Sequence, residues 1–551
     1  MAVPGLTTAL YLFAIMSMAT VVVILAHFFS AKNEISFAVV YIWKTTVLVF
    51  ALISMIWLTI LRKNTNHLKE VPDQSRRSAS KITRDGILLL CGTGSGVLPL
   101  YEAWQDFPCT SSKIELTFYI SKFISLVLSG IFFLLELVFL ACFRKYRCNS
   151  GRARVLVSVI FSANVCMLTN FILNIIRASN TNTKQLNLGN RAEDYTEVLV
   201  FSYCENKTEH LDNTTTVAEQ LYKYTNTFVL EFGLFALGIL GPVWNVIAQT
   251  PDRNINRAGS NDDVSSVGNP SYYDDDDDNA LITHNGILVD NAQSWRFRMV
   301  KALKKTLIFV SKHSFIFTLL LVLPVLGFHV YSDVHNLVNK NSDIVLEKFI
   351  KNETFEQGNY YVQTGYNYIV SIIPFIGYLI ARGSDISSWC LNSDNVLLVA
   401  SGCGHLLLVL FETADSIAGF LSSTDQSEIA TEIMYFVKIL FHYIGIYFQI
   451  MIITKARAIA KDQSKRQRNK RLFINGIIIF LGVCNMERWL ADSFLPPINL
   501  SYVNDIQNED TLGVKNWWFI TEFLFPVVAF YRLLSALLCF EVRDLFHEAG
   551  I

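Results

Sequence analysis

Glu136, Glu231, Gln449, Asn485, Tyr531 and Arg532 stand inside stretches otherwise built largely from Leu, Ile, Val and Phe. An isolated charge at bilayer depth costs at least ~2.5–3.5 kcal/mol, so such groups face other helices or water rather than lipid. A carboxyl group in a dry site either takes a proton or finds a cation, and either outcome makes Glu136 and Glu231 protonatable sites. A carboxyl, an amide and a phenol within reach of one another can relay a proton or order water without a wide pore. For Asn170, Asn485 or Gln449 taken singly, the plainer role is interhelical hydrogen bonding, worth about 0.6 kcal/mol.

The elements that must hold these groups are membrane helices. At 52% hydrophobic and only 17% charged over 551 residues, the chain is too apolar for a soluble protein of its length. Sliding hydrophobicity gives twelve spans: 6–27, 37–61, 86–103, 116–143, 155–176, 225–248, 307–330, 366–381, 396–411, 429–454, 472–490 and 517–540. The expected fold is therefore an all-α integral membrane protein with an N-terminal six-helix domain (1–248), a flexible acidic linker (249–304) and a C-terminal six-helix domain (305–551). The linker carries the acidic run Asp274 to Asp278 and lacks the apolar residues needed for a core. A net charge of −1 argues against nucleic-acid binding. No metal-ligand spacing such as CxxC occurs, so neither a metal nor another cofactor is expected.

With both termini cytoplasmic, the inner side collects Arg62, Lys63, Arg76, Arg77, Arg144, Lys145, Arg147, Lys455, Arg457, Arg466 and Arg468, as the positive-inside rule requires. The same count puts the glycosylation sequons at Asn206, Asn213, Asn352 and Asn499 in outer loops. Cys109 and Cys204 are the cysteines in predicted outer loops and form the disulfide candidate.

Polar residues recur in step between the halves. The stretch from Asp85 to Gly94 lines up with that from Asp394 to Gly404, Glu136 with Gln449, Thr169-Asn170 with Cys484-Asn485, and Glu231-Phe232 with Phe530-Tyr531. All four offsets are roughly 300 residues, which points to a duplicated six-helix unit in parallel orientation. The closing segment with Phe530, Tyr531, Arg532 and Ser535, the stretch from Arg84 to Leu89, Leu168 to Asn170, Glu231-Phe232, Asp394 to Leu398, Gln449, and Cys484 to Phe494 together resemble the otopetrin family of proton-selective channels. The resemblance implies a plasma-membrane homodimer of twelve-helix subunits that conducts protons inward from an acid exterior. It also implies a Gln, Asn, Tyr constriction in each domain. In the C-terminal domain this is Gln449, Asn485 and Tyr531; in the N-terminal domain Glu136 and Phe232 replace two members and leave Asn170. The family's twelfth-helix His, expected to face Glu231, is replaced here by Leu534. Asp85, Asp394 and Arg532 complete the expected proton pathway. A secondary transporter is the main alternative. An enzyme reading would need His405 or His442 as general base, and neither has a catalytic partner at a recognisable spacing.

Overall fold

The computed structural model describes residues 34–63, 67–70, 79–106, 113–186, 212–244, 313–341, 353–382, 393–422, 426–461, 468–494 and 514–549. They form α1 (Glu34–Leu61), β1 (Leu68–Glu70), α2 (Ala79–Asp106), α3 (Lys113–Phe143), β2 (Tyr146–Cys148), α4 (Gly151–Leu186), α5 (Asp212–Trp244), α6 (Ser314–Asn341), α7 (Glu353–Arg382), α8 (Ser393–Ser422), α9 (Gln426–Lys461), α10 (Arg468–Phe494) and α11 (Val514–Glu548). All belong to one compact unit. The eleven helices correspond to the second to twelfth expected spans, the sixth described as far as residue 244 and the seventh helical from residue 314; the first, 6–27, and the linker lie outside the described residues.

Apolar sequence and internal hydrogen bonding make these segments helical. Among the described residues nine helices carry a stretch long and apolar enough to cross a membrane, and shorter apolar stretches fall in α5 (Phe228–Trp244) and α6 (Ser314–Gly327). Hydroxyls inside the spans close on their own helix: Ser54 donates to Phe50 O, Ser95 to Cys91 O, Ser129 to Ser125 O and Ser401 to Leu397 O. Pro99, Pro242, Pro324, Pro374 and Pro526 sit within helices, which neighbouring helices make tolerable at membrane depth.

The packing order repeats. α1 packs on α3 and α4, α2 on α3 and α5, and α4 on α5; α7 packs on α9 and α10, α8 on α9 and α11, and α10 on α11. Between these sets, α5 lies against α8 and α10 while α11 lies against α2 and α4. Large exposed apolar side chains lie on α1, α2, α3 and α6 to α9, such as Phe50, Trp57, Leu89, Val138, Leu320, Leu379 and Tyr447. None of them lies on the described parts of α4, α5, α10 or α11. These four inner helices pack away from lipid, while the outer helices carry the lipid-compatible surface and turn buried polar groups such as Glu136, His405 and Gln449 inward.

One departure from the all-α expectation is a short antiparallel pair, in which Leu68 faces Cys148 and Glu70 faces Tyr146. It ties the α1–α2 and α3–α4 connections together. Arg62 Nε donates to the Tyr146 hydroxyl at 2.8 Å, and His67 and Ser150 share a 2.9 Å hydrogen bond. Such a short pairing escapes hydropathy analysis because it falls between spans.

Candidate functional site

Helix periodicity places His442, Ile446 and Gln449 on one face of α9. That face meets His405 of α8, Asn485 and Arg488 of α10, Tyr531 and Arg532 of α11, and Ser371 of α7 around a small cavity with room for about one water. Glycine brings the walls this close: a Cβ on Gly445 would lie 3.0 Å from the Ser371 Cα, and one on Gly402 would lie 3.3 Å from the Tyr531 ring. The His405 ring stands edge-on to His442 at 4.8 Å and to Tyr531 at 5.2 Å. Tyr531 donates its hydroxyl to Ile446 O at 3.5 Å, and Asn485 Nδ2 donates to Leu481 O at 2.7 Å. Gln449 Nε2, His405 Nδ1 and His442 Nε2 are buried without a protein partner. Polar atoms in that condition need water or a ligand.

Charged groups surround this cavity in a fixed pattern. Arg532 pairs with Asp492, both largely buried. Arg488 donates to Asn367 Oδ1 and stacks 5.1 Å over the Tyr366 ring, whose hydroxyl donates to Glu487 Oε2 at 2.8 Å.

The corresponding region of the N-terminal half is built differently. Glu136 is fully buried on α3 and accepts a hydrogen bond from Asn164 Nδ2 of α4; its second oxygen has no protein partner. Phe232 is also fully buried, edge-on to Phe133 at 5.7 Å, and packs so tightly that a Cβ on Gly92 would come within 2.8 Å of it. Asn170, the amide expected beside Glu136, is half-buried farther along α4. The amide that reaches the carboxyl is Asn164, which the halves-alignment passed over because its counterpart position is apolar.

Glu231 joins the two halves. Its Oε1 accepts from Trp489 Nε1 and from Ser493 Oγ, each at 3.0 Å, and its Oε2 faces the Cys91 thiol at 3.5 Å. The position expected to supply its partner, Leu534, is buried and apolar. Trp489 and Ser493 lie one helical turn apart on α10, a spacing that identifies a shared face.

At the Arg-rich ends of the helices, Asp85 pairs with Arg144 and Asp394 with Arg457, the latter at 3.4 Å. Glu541 also pairs with Arg457 and, at 3.5 Å, with Arg84. Arg457 thus takes, in the C-terminal half, the place that Arg144 takes in the N-terminal half. Beside β2, burial pushes the Cys148 thiol up to about 12, against the smaller lowering influence of Arg154 and Arg147.

The structure therefore gathers Gln449, Asn485, Tyr531 and Arg532 around one cavity and places Glu136, Glu231 and Phe232 in separate settings. His405, His442 and Arg488 join the cavity without having been assigned to it from sequence. For His442 the signal was available, since it stands two turns before Gln449 on the same helix face. Asn213 lies in the first turn of α5 rather than in a loop. Asn206, Asn352, Asn499, Cys109 and Cys204 lie outside the described residues. Among the described residues no group of three or more His, Cys, Asp or Glu is arranged to hold a metal ion.

No curated protein matches the chain. The family model described as Otopetrin matches residues 176–533, more than half of the 551 residues. The matched region takes in Glu231, Gln449, Asn485 and Tyr531 within an apolar helical bundle, and the chain belongs to the otopetrin family, membrane proteins of ion and proton transport.

Proposed function

We propose that this protein is a proton-selective channel, not an enzyme, that admits protons to the cell when the exterior is acid. The observation that carries this reading is the Gln449, Asn485 and Tyr531 cavity: buried amide and phenol groups around room for about one water. A proton can pass such a constriction along hydrogen bonds, whereas a hydrated metal cation cannot. The same dimensions disfavour a secondary transporter, which needs a cavity for its solute at the repeat interface.

Glu136 and Glu231 serve in this reading as protonatable sites that set the response to pH, while Asp85, Asp394 and Arg532, expected on the proton pathway, hold its helices in register through their pairs with Arg144, Arg457 and Asp492. Asn170 and Phe232 complete the N-terminal counterpart, with Phe232 closing it. The repeated packing order and the matched Asp85–Arg144 and Asp394–Arg457 pairs support two six-helix repeats, twelve helices in all. The proposal extends to a homodimer in the plasma membrane with cytoplasmic termini and the domain limits 1–248, 249–304 and 305–551. Glycans on Asn206, Asn213, Asn352 and Asn499 and a Cys109–Cys204 disulfide then lie outside.

Whole-cell recording tests the function. Inward current should appear on external acidification, with a reversal potential that follows the proton gradient and ignores sodium or chloride replacement. Saturable uptake that depends on another solute would replace this reading with a transporter.

A further inference from the structure

The wall of the C-terminal cavity is unusually rich in donors. Gln449 Nε2 and Arg532 Nε are buried N–H groups without a protein acceptor. His405 Nδ1 and His442 Nε2 are likewise unpartnered, and each neutral imidazole can place its N–H on either nitrogen. Arg488 and Arg532 both line the cavity, and no carboxylate does among the described residues. Asp492 answers Arg532 through the terminal guanidinium nitrogen. Arg488 meets the neutral oxygen of Asn367 and the Tyr366 face, neither of which supplies a full counter-charge. A metal cation would meet two guanidinium groups here, while an acceptor with negative charge would satisfy several orphan donors at once.

From this donor set we infer that the cavity is a binding site for a small monovalent anion of halide size. Space for about one water suits chloride or bromide and excludes polyatomic anions such as gluconate. Gln449 and Arg532 donate to the ion, His405 and His442 complete its shell, and Arg488 supplies the attracting charge. Where this same cavity is the proton route, as proposed above, the anion takes the space of the single water, protons pass along the hydrogen-bonding side chains of the wall, and the anion lowers the electrostatic barrier that the guanidinium groups raise against them.

Two measurements on the full-length protein test the site. Crystals grown in sodium bromide should show an anomalous peak between Gln449, Arg488 and Arg532. Arg488→Gln should lose it, and Arg488→Lys, which keeps the charge, should retain it. A wild-type map without a peak in the cavity overturns the inference. In proteoliposomes, with potassium and valinomycin carrying the compensating charge, chloride in place of gluconate should raise proton flux several-fold in wild type and not in Arg488→Gln. A bromide peak with flux indifferent to chloride keeps the anion site and contradicts the proton route through it.

Discussion

The two halves pair their helices in the same order but fill the equivalent positions with different chemistry. In the C-terminal half, an amide, a second amide and a phenol enclose a small polar cavity. In the N-terminal half a carboxyl is hydrogen-bonded to Asn164, and the phenol position holds Phe232 in tight apolar packing. Tyr531 presents a hydroxyl to the cavity, whereas Phe232 at the matching position presents a bare ring to tight apolar packing. The same helix arrangement therefore holds different side-chain chemistry in the two halves.

The largest expected effect comes from breaking the cavity's charged frame. Asp492→Ala leaves Arg532 buried without its counter-ion and should destabilise the protein by about 3–5 kcal/mol. Asp85→Ala at the half-exposed Arg144 pair should cost at most ~1 kcal/mol. Thermal unfolding in detergent compares the two directly, and equal losses would remove the distinction between frame and periphery.

Next come the ring substitutions, made in opposite directions. Tyr531→Phe removes a hydroxyl from the proposed route and should reduce proton current by about tenfold, equivalent to ~1.4 kcal/mol. Phe232→Tyr buries a hydroxyl in tight aromatic packing, so it should cost ~1–3 kcal/mol of stability and add no current. A rise in current in Phe232→Tyr would show instead that the N-terminal half needs only a phenol to conduct. Glu136→Gln keeps the shape of the side chain and should leave current amplitude within about twofold of wild type, with its dependence on pH changed.

The smallest effect separates the halves at their connections, because the β1–β2 pair is described only in the N-terminal half. Tyr146→Phe loses the bond from Arg62 and should cost about 0.5–1.5 kcal/mol. Cys148 gives a pH signature for the same region. Its thiol ordinarily ionises near 9.0 and is pushed up to about 12 by burial, so the unfolded chain releases this proton first. That contribution to stability is complete below pH 9.0 and declines as pH rises through about 12. Alkylation followed by mass spectrometry should find Cys148 protected at neutral pH, and rapid labelling would contradict the buried setting.

Much of this architecture was legible in the residues. Apolar runs locate eleven of the expected helices because lipid forces every backbone group to bond within its own segment. Gln449, Asn485 and Tyr531 stood out as polar residues at membrane depth, and the resemblance to the otopetrin family implied their common site. Asn164 was not legible, since its role depends on how α3 and α4 rotate against each other, and the match between halves favoured Asn170. Glu231 shows the same limit: with Leu534 in place of a histidine, its partners come from α10 and α2, and only packing reveals Trp489, Ser493 and Cys91. The strand pair was invisible for a different reason, since six residues carry too little periodicity to register.

The most direct test of the central claim is the proton current of Gln449→Leu at a fixed step of external acid, recorded beside Glu136→Gln with surface expression matched. A cavity in the C-terminal half that carries the protons predicts a loss of about tenfold or more in Gln449→Leu against a nearly intact current in Glu136→Gln. An intact current in Gln449→Leu, with its reversal still at the proton equilibrium potential, would place conduction elsewhere in the bundle.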